Sequence, residues 1–185
     1  DHRIYVGSTS REALPAVIDE GTVIDGSTED DFGDYADYSP RIILDGIMPE
    51  WTAPINAIFI LADNCAVYSI EIANFPDDGI DVYQADNVEI GAVNKGNIIY
   101  NCGWEQDIFP DANGSWNGCG VVIRNGASNC KVVGNIIGTN EDLTPGIGTR
   151  QFYRIGVSKT VKDWVSGGSQ DNGTGIHRND GKWYD

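Results

Sequence analysis

The chain carries little positive charge. Twelve Lys and Arg stand against 28 Asp and Glu in 185 residues, for a formal net charge of −16. So acidic a surface opposes nucleic acid and anionic lipid as partners and favours solubility. Long apolar runs are missing too: no stretch approaches the ~20 residues of a membrane-spanning helix, so membrane insertion is not expected. The chain starts at Asp1 with neither Met nor an apolar signal core, and reads as a secreted product whose signal peptide has been removed. His is scarce. His2 and His177 lie near opposite ends with no Ser or Cys beside them in a nucleophile motif, and both read as surface residues. The four Cys form no Cys-x-x-Cys and no Cys/His cluster, which argues against zinc.

Repetition takes the place of helical periodicity. Ala57-Ile-Phe-Ile-Leu-Ala-Asp-Asn64, Gly79-Ile-Asp-Val-Tyr-Gln-Ala-Asp-Asn87 and Gly120-Val-Val-Ile-Arg-Asn-Gly-Ala-Ser-Asn129 are versions of one unit. Asn64 and Asn87 are 23 residues apart, and Asn87 and Asn129 are 42 apart, which is one period plus an excursion between Cys102 and Cys119. A second series, Asn74, Asn101 and Asn140, follows Ile70-Glu-Ile72, Asn97-Ile-Ile99 and Asn135-Ile-Ile137. Short alternating Ile/Val runs punctuated by Gly, Asn and Asp rule out long helices over residues 40–140. The pattern predicts an all-β, single-domain parallel β-helix, a solenoid of about six coils stacked ~4.8 Å apart with Ile and Val filling the bore. One domain suits 185 residues with 41% hydrophobic content.

The stretch from Val88 to Asn101, Gly120-Val-Val-Ile123 and Val132-Val-Gly-Asn-Ile-Ile-Gly-Thr-Asn140 resemble the repeats of secreted bacterial right-handed β-helix proteins of pectate-lyase-like fold. The start is similar to the CSLREA-type extracellular group, in Ser10-Arg-Glu-Ala-Leu14, Thr22-Val-Ile-Asp-Gly26 and Ile42-Ile-Leu-Asp-Gly46, although Thr9-Ser10 stand where Cys-Ser-Leu would be. Ile155-Gly-Val-Ser158 and Gly175-Ile-His-Arg-Asn179 look like two further strands. The resemblance implies a right-handed solenoid outside the cell. It does not extend to a catalytic set: family hydrolases carry Asn-Thr-Asp, Asp-Asp, Gly-His-Gly and Arg-Ile-Lys motifs, of which the chain has only the isolated turn pair Asp77-Asp78, and family lyases use a Ca²⁺-holding carboxylate cluster with an Arg or Lys base. Asp81 and Arg124, with Lys95 or Lys131 nearby, are the candidates for an outward catalytic group; no catalytic residue is assigned.

The remaining site candidates lie in loops and at the ends. A disulfide between Cys102 and Cys119 would close a 16-residue loop and add about 3 kcal/mol in the chain-entropy model, though other pairings fit the spacing. Cys65 and Cys130 follow Asn at the same coil position, with Val88 between them. Two coils separate them by roughly 9–10 Å, beyond disulfide reach, so they read as buried thiols. Trp104, Phe109 and Trp116 in the excursion (103–118) could stack on sugar rings or fold over the coil. Asp30, Asp31, Asp34 and Asp37 in one acidic loop, and Asp111 with Asn113 in another, could collect oxygen ligands around Ca²⁺, while no cofactor is required by any motif. Asn113-Gly-Ser115 and Asn172-Gly-Thr174 are glycosylation sequons. The Asn series read mainly as structural ladders.

An open solenoid exposes unpaired strand edges and needs caps. Residues 1–20 supply a leader strand, Arg3-Ile4-Tyr5-Val6, and a short capping helix from Ser8 to Leu14, with a hydroxyl cap and Glu12 near its start. No helical pattern follows Ile176-His-Arg-Asn179, so that end is expected to be open. The sequence thus favours an extracellular structural or adhesive subunit that binds copies of itself, in the limit as a fibre. The alternatives are a polysaccharide lyase or hydrolase and a non-catalytic glycan-binding module.

Overall fold

The computed structural model describes residues 2–6, 14–29, 40, 42–46, 55–102 and 120–138, and the backbone of four later strands. Among these residues the fold is all-β. Sixteen strands occur: β1 (His2–Tyr5), β2 (Val23–Asp25), β3 (Ile42–Asp45), β4 (Ile58–Ile60), β5 (Ala66–Tyr68), β6 (Ile70–Ala73), β7 (Ile80–Tyr83), β8 (Glu89–Ile90), β9 (Ile98–Tyr100), β10 (Val121–Arg124), β11 (Lys131–Val133), β12 (Ile136–Ile137), β13 (Ile155–Val157), β14 (Val165–Gly167), β15 (Ile176–Arg178) and β16 (Trp183–Tyr184). The expected capping helix falls on residues outside those described, apart from Leu14.

Three sheets share these strands. Sheet I runs β1-β3-β6-β9-β12, sheet II β4-β7-β10-β13-β15-β16, and sheet III β2-β5-β8-β11-β14. From β2 to β14 the chain visits sheets III, I and II in strict rotation, and every pairing but the last is parallel. The exception is β16, which pairs antiparallel with β15, Ile176 opposite Tyr184.

Alternation decides which side chains fill the interior. Ile4, Leu44, Ile72, Ile99 and Ile137 form one row across sheet I. Ile60, Val82 and Ile123 do so in sheet II, and Val67, Ile90 and Val132 in sheet III. From Leu44 onward these residues are buried in one contiguous cluster. Each fully buried aliphatic side chain contributes about 1.5–3 kcal/mol relative to exposure.

The corners depend on Asn. Asn64, Asn87 and Asn129 all hold left-handed backbone, with φ of 59°, 58° and 53°, a conformation Asn tolerates better than other side chains. Their neighbours lock coil to coil: the Asp63 carboxylate accepts the Asp86 N–H, and the Asp86 carboxylate accepts the Ser128 N–H, both at 2.8 Å. Asn87 Nδ2 donates to Asn64 Oδ1 at 3.1 Å, and Asn101 Nδ2 to Asn74 Oδ1 at 3.1 Å. Both Asn series therefore form ladders, as their spacing suggests; Asn140 lies outside the described residues.

A third ladder lies inside. Asn97 Oδ1 accepts the Ile70 N–H and its Nδ2 donates to Val67 O, while Asn135 Oδ1 accepts from both the Asn97 N–H and Nδ2. Both side chains are buried, so each bond replaces one that water would otherwise supply. Gly96 precedes Asn97 because a Cβ there would run into the Gly134 carbonyl, and Gly134 precedes Asn135 with a φ of 72° and the Ala92 carbonyl where its Cβ would stand.

Candidate functional site

A buried carboxylate, a guanidinium and an aromatic ring meet on the outer face of sheet II. Ile80 and Val82 point inward from β7, which leaves Asp81 and Tyr83 outward, and β10 likewise directs Arg124 outward. The register sets Arg124 beside Tyr83. From there its guanidinium reaches diagonally to Asp81, with Nε donating to Oδ1 at 3.0 Å and Nη2 to Oδ2 at 2.6 Å. It also lies 5.2 Å from the centre of the Tyr83 ring, whose other neighbour, Phe59, meets it edge-on at 6.1 Å. Asn56 completes the group by donating to Asp81 Oδ2 and accepting the Asp78 N–H, each at 3.1 Å.

This geometry fixes charge rather than moving it. Asp81 is completely buried and its charge is met by a forked guanidinium and an amide. The hydrogen bond to Asp81, with the negative charges of Asp81, Asp78 and Asp77, raises the Arg124 pKa against its partial burial, so the guanidinium holds its proton more firmly than an ordinary Arg. That is the opposite of what a general base requires. Lys95 and Lys131 do not join the group. Lys131 lies in β11 of sheet III, and Lys95, in the turn after β8, reaches over the face of the same sheet to Asp25.

On sheet III, Lys95 Nζ pairs with Asp25 at 2.8 Å and sits 5.8 Å from the Tyr68 ring centre. Lys131 pairs with Glu89 at 2.6 Å, and Tyr68 Oη donates to the other Glu89 oxygen at 2.6 Å. On sheet I, Arg3 pairs with Asp45, Asn74 donates to Asp45, and Tyr100 Oη donates to Glu71 at 2.7 Å. Burial and the Glu89 bond push Tyr68 up to about 12. Burial and Glu71 likewise raise Tyr100. The Lys131 and Tyr68 bonds lower Glu89, and the Lys95 and Ser27 bonds lower Asp25 against its desolvation. Burial raises the Cys102 thiol to about 12 and raises that of Cys130. Each of these shifts carries its group away from neutrality.

The sequence candidates divide by position. Arg3, Ile4, Tyr5 and Val6 are placed: β1 spans His2–Tyr5, one residue earlier than expected, and pairs with β3 of its own chain from His2↔Ile42 to Tyr5↔Asp45. It is an edge strand of sheet I, not a separate leader. Cys65, Cys102 and Cys130 are free buried thiols, and Cys65 and Cys130 flank buried Val88 as expected. The partner proposed for Cys102, Cys119, lies outside the described residues, as do Trp104, Phe109, Trp116, Asp30, Asp31, Asp34, Asp37, Asp111, Asn113 and Asn172. Among the described residues no group of three or more His, Cys, Asp or Glu could hold a metal ion, and no helix is long and apolar enough to cross a membrane. Sequence reasoning missed Asn56, Asn97 and Asn135. For the last two the repeated Gly-Asn-Ile-Ile at 96–99 and 134–137 was the available signal.

No protein-family model, curated protein or solved structure matches the chain.

Proposed function

We propose that the chain is a right-handed parallel β-helix of about six coils, of the secreted bacterial kind its repeats resemble, and that it serves outside the cell as a structural or adhesive subunit that associates with copies of itself. The rotation of successive strands through three sheets supports the solenoid reading. One observation carries the functional reading: the ionisable side chains of all three described faces are paired with one another from coil to coil, each resolved shift stabilising the existing protonation state. Such faces suit a rigid scaffold, whereas catalysis at neutral pH calls for a group poised near 7.

The second reading, a lyase or hydrolase acting on an acidic or plant polysaccharide, would have to use Asp81 and Arg124. Their mutual pairing weighs against it. A glycan-binding module would rest on Trp104, Phe109 and Trp116, and Ca²⁺ would fall to the acidic loops.

Negative-stain electron microscopy and sedimentation velocity of the chain in physiological salt, with and without chelator, test the proposal. Oligomers or fibres support it, and chelator sensitivity would assign Ca²⁺ to the acidic loops. Monomers at every concentration, together with turnover of an oligosaccharide that vanishes in Arg124→Ala, would replace it with the enzyme reading.

A further inference from the structure

At the corner between sheets III and I, one residue breaks the pattern of its stack. Counting on from the pair Asp25↔Tyr68, and back from Glu71↔Ile98 and Ile136↔Ile98, sets Gly26, Ser69, Gly96 and Gly134 level with one another. At Gly26 and Gly96 a carbonyl of the adjoining coil presses on the site: a Cβ at Gly26 would run into the Ser69 carbonyl, and one at Gly96 into the Gly134 carbonyl. Ser69 carries a Cβ all the same. The coil above it leaves the repeat at this point, inserting residues 92–95 between Gly91 and Gly96, and the Lys95 carbonyl accepts the Ser69 N–H at 3.3 Å.

Ser69 bears two independent costs. Its φ of 54° is left-handed, a conformation that a residue with a Cβ adopts under strain. Its hydroxyl is completely buried and is, among the described residues, the one buried side-chain polar atom with no hydrogen-bond partner. Water would satisfy it if the segment above moved aside.

That segment is built to move. Residues 92–95 close on themselves through reciprocal backbone bonds, the Lys95 N–H to the Ala92 carbonyl at 3.0 Å and the Ala92 N–H to the Lys95 carbonyl at 3.3 Å, so they turn as a unit. Gly91 and Gly96 bound the unit. Both are seated against the next coil, Gly91 on Asn135 and Gly96 on Gly134, and so mark fixed ends about which it can rotate. Packing holds it little, since Val93 at its tip is 78% exposed and Asn94 is exposed as well. Its side-chain catch is Lys95, which reaches across β5 to Asp25 at 2.8 Å and lies over the Tyr68 ring. The lysine side chain of that pair is 44% exposed, so salt screens the catch. We infer that residues 91–96 form a strap, latched by Lys95 on Asp25, that lifts as ionic strength rises and bares the Ser69 hydroxyl. The lifted state offers a free ammonium and a carboxylate held only by Ser27, groups that the closed state keeps for each other.

Hydrogen exchange of the full chain tests this. The amide of residue 69, corrected for its intrinsic rate, is followed against the Ile80 amide, which bonds to the Gly120 carbonyl in the middle of sheet II. The residue 69 amide should exchange well ahead of that of Ile80, and relative to it about threefold faster in molar salt or in Asp25→Asn, the range expected of a half-exposed ion pair. Ser69→Gly relieves both costs of the closed state and should slow that exchange by about tenfold or more. Ser69→Ala removes the hydroxyl alone and should fall between. Exchange of residue 69 at the Ile80 rate, which only global unfolding would give, overturns the strap. So does a rate that salt and Asp25→Asn leave unchanged, since Lys95 is then no catch, or one that Ser69→Gly fails to slow. If a variant folds poorly, the salt series on the parent chain decides by itself.

Discussion

Arg124 and Asp81 form a two-pronged ion pair across adjacent strands of sheet II, the carboxylate fully buried and the guanidinium side chain 44% exposed. The asymmetry sets the consequence of breaking it. Removing the cation leaves a buried charge with only the Asn56 amide among its described side-chain partners, whereas removing the anion leaves an Arg able to turn to water. Arg124→Ala should therefore cost about 2 kcal/mol, below the 3–5 kcal/mol of a pair buried on both sides, and Asp81→Asn less. Urea unfolding of both variants and their double mutant measures this; equal losses would contradict the difference in burial.

Asn97 and Asn135 make a sharper case. Asn97 satisfies the Ile70 N–H and the Val67 carbonyl and bonds to Asn135, all away from solvent. Asn97→Ala strands several of these groups at once, at about 1–3 kcal/mol for each group left without a partner. Exposed Asn125, by contrast, contributes only its backbone conformation. Asn125→Gly should leave thermal stability nearly unchanged or raise it slightly, while Asn97→Ala lowers the melting temperature by ten degrees or so.

These two groups show how far the sequence could be read. The spacing of Asn64 and Asn87 exposed the coil period because a ladder needs the same residue at the same height, and it bonds as that spacing implied. Asp81 and Arg124 stood out for the same reason, each in the alternating run that opens a coil. Lys95 escaped, because its partner Asp25 is 70 residues away on a coil two turns earlier. The four-residue turn Ala92–Lys95, closed by reciprocal backbone bonds, is an insertion that shifts Lys95 out of the simple repeat. Inward Asn97 was legible as a residue and illegible as a core group, since an Asn between Gly and Ile reads as a turn. The Arg3–Val6 strand was visible from alternation, but its pairing with β3 depends on contacts spanning some 40 residues.

Sheet III should give stability a defined pH window. The folded-state pKa values of Asp25 and Glu89 are lowered, so both contribute stability that is present above the ordinary carboxylate range near 4 and lost as pH falls through their depressed values. Tyr68 acts at the other end. Its pKa rises from 10.0 to about 12, so its contribution is complete below pH 10 and disappears between about 10 and 12 as the phenol ionises. Thermal melts from pH 2 to 12 should fall at both ends, and Tyr68→Phe should flatten the alkaline fall and, by removing one of the two bonds that lower Glu89, soften the acid fall as well.

The buried thiols provide a direct probe of coil integrity. Cys102 is driven to about 12 and Cys130 upward by burial, so at pH 8 neither presents thiolate, and access is blocked as well. A thiol reagent followed by peptide mapping should leave Cys65, Cys102 and Cys130 unlabelled in the native protein and label all three in denaturant. Slow native labelling should report opening of the coils, and should quicken in Asn97→Ala in proportion to the lost stability if opening is the limiting equilibrium. Labelling of Cys102 ahead of Cys130 would locate the first opening at the coil where the excursion leaves. Rapid labelling of all three in the native state would contradict a packed interior, and with it the rigid scaffold that the paired faces require.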